Sequence, residues 1–256
     1  WVFVADGTEG MRVLYVDDSL NTTEVSSFPI NGNAVGIDQL GIYAYVLVEN
    51  QGIIVVDVTD PDNPFEVGSY LNIPNASDVT IYAPGKYAFV SNGTDGLVVL
   101  DVSDPTNIFQ RKSFPTGGIA GGIFLLGDLA YFTQGTAGLA VLDIGKSDPE
   151  QVARVVPGFI APGNTNNSNS GTLSFTIDGN YAYLANSLTG LKIIDISNLP
   201  DISEVGSFNT PGAAFGVAIS GNNAYVADYD YGLSILNVSD RANPQLISRF
   251  NRFGYA

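Results

Sequence analysis

Acidic side chains dominate the chemistry this chain can offer. It carries 26 Asp and Glu against 10 Lys and Arg, with neither Cys nor His, in 256 residues. Without imidazole or thiolate there is no Ser-His-Asp triad, no thiol nucleophile, no zinc finger and no disulfide scaffold. Carboxylate chemistry is what is left: a hard cation held by oxygen ligands, or an acid pair cleaving a glycosidic bond. The oxygen-rich candidates for Ca²⁺ are Asp228 and Asp230 in Asp228-Tyr229-Asp230-Tyr231-Gly232, and Asp60 and Asp62 in Asp60-Pro61-Asp62-Asn63. Neither segment continues to the bidentate Glu of a complete loop, so both are weak metal candidates. The formal charge of −16 repels phosphate backbones and anionic lipid, which sets nucleic acid and membrane surfaces aside as partners.

Most of the acids belong to a repeated phrase. Its clearest copies are Gly96-Leu97-Val98-Val99-Leu100-Asp101-Val102-Ser103-Asp104-Pro105 and Gly190-Leu191-Lys192-Ile193-Ile194-Asp195-Ile196-Ser197. The residue closing the apolar run is Asp17, Asp57, Asp101, Asp143, Asp195 and then Asn237, at spacings of 40, 44, 42, 52 and 42. A carboxylate at that point accepts backbone N–H groups and holds a turn. Six-fold recurrence is what repeated modules require, whereas a single active site does not. No acid pair stands apart from this set, so the chain reads as non-catalytic and without a cofactor.

The elements that carry these acids are strands. Segments such as Tyr87-Ala88-Phe89-Val90 and Tyr181-Ala182-Tyr183-Leu184 are aromatic and β-branched and are bounded by Gly or Asn. A glycine-bearing turn, Asn92-Gly93-Thr94-Asp95-Gly96 in one copy, closes a hairpin onto the Gly-Leu-Val-Val-Leu-Asp strand. That strand's unbroken apolar run predicts cover on both faces. Asp-Pro turns then stop it, because Pro removes a ladder donor. A third strand such as Phe65-Glu66-Val67-Gly68-Ser69-Tyr70 follows, and a fourth ends at Gly41, Gly85, Gly127, Gly179 and Gly221. Small residues beside this fourth strand suit the crowded centre of a radial array. Helical periodicity is nowhere sustained.

A period near 42 fits a four-stranded propeller blade. The expected fold is all-β: one six-bladed β-propeller over 1–256, of four-stranded antiparallel blades, with repeat units at about 1–41, 42–85, 86–127, 128–179, 180–221 and 222–256. The Gly-Leu-x-Val-x-Asp-Val-Ser-Asp-Pro phrase after Tyr-Ala-Tyr-Val-Ala resembles the LVIVD repeat family, which is associated with β-propellers on bacterial and archaeal surface proteins. The resemblance covers all six units and implies no catalytic residues. Departures are local: Gly145-Lys146-Ser147 displaces Asp148-Pro149, and Asn237 replaces the sixth Asp.

The ends of the chain leave a gap in this arithmetic. Asn237 is followed by 19 residues and Asp17 is preceded by 16, together 35, about one strand short of a full period. One blade is therefore expected to draw on both chain ends, with Trp1, Val2, Phe3 and Val4 on one side and Phe253, Gly254, Tyr255 and Ala256 on the other, and to lack its inner strand. A trimmed segment, a tail that closes the blade in cis, and a neighbouring copy that donates the strand all satisfy this pattern.

Five Asn-x-Ser/Thr sequons, at Asn21, Asn75, Asn92, Asn166 and Asn237, are glycan candidates if the chain is exported; all but Asn237 fall in predicted loops. Residues 161–171, rich in Asn and Ser, account for the long spacing and are either a plain loop or a contact element. No run of 18 apolar residues occurs, and residues 1–30 lack the basic start and apolar block of a leader, so the chain reads as a mature or excised segment. The reading drawn is a non-catalytic surface or matrix module outside the cell, glycosylated and joining head to tail with its own copies or with other surface proteins. The competing readings are a glycan- or peptide-binding propeller, with Tyr229 and Tyr231 as stacking surfaces, and a carboxylate hydrolase.

Overall fold

A computed structural model describes residues 1–18, 20–84, 86–115, 118–134, 138–144, 174–199 and 202–250. The described residues form six antiparallel sheets, and their one helical turn is a 3₁₀ segment at Tyr229–Tyr231. The chain divides into two compact units of three sheets each.

In the first unit, one sheet is β1 (Val2–Ala5), β2 (Met11–Val16) and β3 (Thr22–Phe28), in that order. The next is β4 (Ala34–Leu40), β5 (Tyr43–Val48), β6 (Gly52–Asp57) and β7 (Phe65–Tyr70). The third is β8 (Ala76–Tyr82), β9 (Tyr87–Asn92), β10 (Leu97–Asp101) and β11 (Phe109–Phe114). In the second unit, β12 (Ile123–Leu126), β13 (Leu129–Thr133) and β14 (Leu139–Asp143) form one sheet; the residues expected to add its outer strand lie outside the described ones. It is followed by β15 (Ser174–Asp178), β16 (Tyr181–Ala185), β17 (Leu191–Asp195) and β18 (Ser203–Phe208), and then by β19 (Gly216–Ser220), β20 (Asn223–Ala227), β21 (Leu233–Asn237) and β22 (Gln245–Phe250).

The strand that ends each sequence unit opens the next sheet. β4 pairs with β5 from Leu40↔Tyr43 to Ala34↔Val48, across a two-residue turn at Gly41 and Ile42, and β19 pairs with β20 in the same way across Gly221 and Asn222. Gly41 and Gly221 take φ of 61° and 56°, a left-handed turn conformation open to glycine at little cost. Each unit of the repeat is thereby hydrogen-bonded to its successor.

Period-two alternation explains why the central strands carry no polar stripe. Ala44, Val46 and Val48 of β5, with Ile54 and Val56 of β6, join Met11 and Val13 in one core. Tyr45, Leu47, Ile53 and Val55 from the same two strands join Ala88, Val90, Val98 and Leu100 in another. In the second unit, Ala182, Leu184 and Ile194 face Tyr131, Leu139 and Val141, whereas Tyr183, Ala185, Leu191 and Ile193 face Ala224, Val226 and Leu236. Both faces of these strands are buried by a neighbouring sheet, so both are apolar save at Lys192 of β17, which is buried and paired with Glu204 of β18. The outermost strands differ: every residue of β22 is exposed.

Where β2, β6, β10, β17 and β21 meet the outer strand of their sheets, the register slips at Val13/Leu14, Val55/Val56, Val99/Leu100, Ile193/Ile194 and Ile235/Leu236, a bulge repeated at one position. The expected blade short of its inner strand corresponds to β1-β2-β3, where β1 stands at the end of the order. The contribution expected from Phe253, Gly254, Tyr255 and Ala256 lies outside the described residues.

Candidate interaction surfaces

The recurring Asp positions hold turns. Asp57 Oδ1 accepts the Thr59 N–H at 2.8 Å, Asp101 Oδ1 the Ser103 N–H at 3.0 Å, Asp195 Oδ1 the Ser197 N–H at 2.8 Å and Asn237 Oδ1 the Ser239 N–H at 2.9 Å. Asp17 Oδ1 does the same for the Asn21 N–H at 2.8 Å. A second set follows three residues later: Asp60 Oδ1 accepts from the Asp62 N–H, Asp104 Oδ1 from the Thr106 N–H and Asp240 Oδ1 from the Ala242 N–H. These bonds to the charged form lower the pKa of Asp104, Asp195 and Asp240, the side-chain bonds from Thr106, Ser197 and Asn243 being the largest causes.

This accounts for the Asp60-Asp62 candidate in turn chemistry. Both Asp60 oxygens are engaged, Oδ1 by the Asp62 N–H at 3.1 Å and Oδ2 by the Asn63 amide at 2.8 Å. Asp228 and Asp230 differ in environment: Asp228 is 0% exposed and follows β20 directly, whereas Asp230 lies on the exposed 3₁₀ turn. Asp228 Oδ1 accepts the Gly212 N–H at 3.2 Å. Among the described residues, no group of three acidic side chains converges to hold a metal ion.

The sequons fall in unlike settings. Asn75 is exposed. Asn92 was expected in a loop; it ends β9 instead, 6% exposed, its Oδ1 accepting the Asn75 N–H at 3.0 Å. The reason is local: the turn Asn92 to Gly96 is closed by the Asn92 N–H donating to the Gly96 carbonyl at 2.7 Å, which draws Asn92 into the hairpin. The Asn21 amide donates to Asp17 Oδ2 at 2.9 Å, and Asn237 is the exposed end of β21. Asn166 and the 161–171 segment lie outside the described residues.

Two exposed aromatic groupings remain. Trp1, 58% exposed, meets Tyr15, 48% exposed, at 5.3 Å between ring centroids, beside the β1 edge. In the second unit, Tyr229 packs at 5.2 Å from Phe215, with Tyr231 next to it and Gly212 pressed against both Asp228 and the Tyr231 ring. Trp1 was legible in the sequence as part of the chain-end strand, and Tyr229 and Tyr231 as stacking surfaces. Tyr15 and Phe215 were not, because each sits inside or beside an ordinary strand-forming run and only the ring contact with Trp1 or Tyr229 shows its role.

No helix among the described residues is long and apolar enough to cross a membrane. No curated protein matches the chain. Similar solved structures include a Lactobacillus plantarum protein (TM-score 0.73, 14% identity, 96% of this chain and 81% of that one) and Saccharomyces cerevisiae Sqt1 (TM-score 0.74, 8%, 98% and 71%). BamB from Moraxella catarrhalis is also similar, at TM-score 0.66 and 13% identity, over 97% of this chain and 69% of that one. At these identities the likeness speaks for the fold alone, and the fold is of the propeller type. The LVIVD repeat matches residues 31–72, 75–116, 117–153, 172–210 and 211–252 and points to no catalytic family. With five copies matched over most of its length, the chain belongs to the LVIVD repeat family.

Proposed function

We propose that the chain is a non-catalytic interaction module that serves outside the cell as a surface or matrix component and assembles with its own copies by strand addition at β1. One observation carries the self-assembly. β1 pairs with β2 as β9 pairs with β10 and β16 with β17, and the edge that β4, β8, β12, β15 and β19 cover in the other five sheets is open on β1, which among the described residues has β2 as its one strand partner. An open strand edge is a template for another chain's backbone, with a buried unsatisfied donor or acceptor costing about 1–3 kcal/mol. A strand given by a second copy makes a head-to-tail contact, and such contacts run on as filaments when the rotation does not close. The extracellular setting is supported by the family and by the exposed sequon at Asn75.

The test is sedimentation of the purified chain across a concentration series with electron microscopy of the same samples. Concentration-dependent oligomers or fibres are the expected result. A species that stays strictly monomeric at every concentration overturns self-assembly. The second reading, a glycan- or peptide-binding module, draws on the Phe215–Tyr229 pair and the exposed Tyr231; aromatic faces of this kind stack on sugar rings and apolar side chains. A glycan and peptide array probed with the wild type and Tyr231→Ala decides it, since binding that survives the substitution is not made by this cluster.

A further inference from the structure

Each unit contains a gap between two neighbouring sheets built from equivalent residues, and the two gaps are filled differently. In the second unit, Tyr181 and Tyr183 of β16 face Arg241 in the turn after β21. The Arg241 guanidinium stands 4.3 Å from the centre of the Tyr181 ring, its Nε donates to the Tyr183 hydroxyl at 3.0 Å, and its Nη2 lies 4.0 Å from Asp178 Oδ2. In the first unit, Tyr43 and Tyr45 of β5 occupy the tyrosine positions, and the turn after β10 carries Pro105 where the other carries Arg241. The hydrogen bonds fix this correspondence. Val102 N–H donates to the Lys86 carbonyl at 2.9 Å as Val238 N–H does to that of Asn222 at 2.8 Å, and Thr106 N–H donates to Asp104 as Ala242 N–H does to Asp240.

Proline cannot reach into the gap, and a cleft of about 370 Å³ is left, walled by Leu40, Ile42, Tyr43, Tyr45, Lys86 and Pro105 among others. That volume lies within the range of small-molecule sites. The walls have changed sign as well as shape: Leu40 stands for Asp178, Ile42 for Asn180 and Lys86 for Asn222. No carboxylate stands among the lining residues, whose one charged member is Lys86. Among the described residues, neither the Tyr45 hydroxyl nor the Lys86 ammonium has a hydrogen-bond or ion-pair partner.

We propose that this cleft binds a small apolar molecule bearing a carboxylate, its aromatic or branched body against Leu40, Ile42 and Tyr43 and its anionic end taken by Lys86 and the Tyr45 hydroxyl. Burial pushes the Tyr45 hydroxyl up to about 12, so it stays protonated and acts as a donor at neutral pH. Hydrogen bonds to charged groups are the stronger kind, and removing one weakens binding by about tenfold or more.

The experiment uses the full chain, with 3-phenylpropionate and phenethylamine as probes that share an aromatic body and differ in charge, followed by saturation-transfer NMR and titration. 3-Phenylpropionate is expected to bind and phenethylamine to bind at least about tenfold more weakly. Lys86→Asn installs the second unit's own residue at a left-handed position, φ 53°, that Asn tolerates, and is expected to cost about tenfold for the carboxylate. Leu40→Asp with Pro105→Arg rebuilds the filled arrangement on a turn that already accepts Arg at position 241, and is expected to abolish binding. Wild-type chain that binds neither probe, or both equally, overturns the proposal, as does a folded double variant that binds unchanged.

Discussion

A β-carbon on Gly68 would overlap the carbonyl oxygen of Pro105, which the next sheet's turn presses against β7. The same relationship joins Gly206 to the Arg241 carbonyl, and at the matching place in the first sheet Ser26 donates its hydroxyl to the Pro61 carbonyl at 2.5 Å. Adjacent sheets are thus locked by one turn carbonyl against one outer-strand residue. Gly68→Ala is expected to destabilise the chain by about 1–3 kcal/mol through overpacking. Gly68→Ser is expected to cost less, because its hydroxyl can take the Pro105 carbonyl as Ser26 takes that of Pro61. Urea denaturation of both variants measures the difference, and a Ser variant no better than Ala removes the hydrogen-bond part of the account.

The turn carboxylates predict an acid limb. The pKa values of Asp104 and Asp195 are lowered from 3.8 by the bonds they accept from Thr106 and Ser197. A group lowered on folding adds stability that is fully present above its unfolded pKa and lost as pH falls through the folded one. Asp104→Asn with Asp195→Asn keeps the Oδ1 acceptor, as Asn237 shows with Ser239, but removes the titration. The melting temperature of the wild type is therefore expected to fall relative to the double variant as pH drops below about 4, the ordinary carboxylate range. Parallel curves down to the lowest pH studied would falsify this assignment of the Asp set.

Strand order and core were legible because the signal was redundant: six copies of one phrase agreed on where the apolar runs fall, and period two decides which of Tyr45 or Val46 faces which neighbour. The carboxylate turns were legible for the same reason. Asp228 was not. In sequence, Asp228-Tyr229-Asp230-Tyr231-Gly232 reads as an exposed oxygen-rich loop, yet the hairpin geometry that closes Asp228 N–H onto the Gly232 carbonyl at 2.7 Å buries the first carboxylate and exposes the second. The cleft at Tyr45 was equally hidden, since it arises from a difference between repeats, Pro105 against Arg241, that a search for similarity discards.

Lys192 and Glu204 form a pair at 2.7 Å, with side chains 9% and 24% exposed, on β17 and β18. Taking one partner from a desolvated pair leaves a charge that the low-dielectric surroundings penalise, whereas replacing both by apolar groups restores packing. Glu204→Ala is expected to cost about 3 kcal/mol, and Lys192→Met with Glu204→Leu to recover most of that loss. Equilibrium unfolding of the single and double variants checks this, and a double variant as unstable as the single one would mean that Lys192 and Glu204 matter for more than each other's charge.

Asn75 and Asn92 are direct neighbours with opposite prospects for modification. The Asn92 side chain is buried against the Asn75 backbone, so a sugar on its amide and the native hairpin exclude each other. Asn75 is exposed and its side-chain amide is not required for that bond, because it is the Asn75 backbone N–H that donates. When the chain is secreted by a cell that glycosylates sequons, folded material is expected to carry sugar at Asn75 and none at Asn92, read by peptide mass mapping. Asn75→Gln is then expected to remove that glycan without altering the melting temperature of enzymatically deglycosylated protein. Glycan on Asn92 in protein that still melts cooperatively would show that the β9 end opens in the native state, and the hairpin closure described for Asn92 and Gly96 would have to be abandoned.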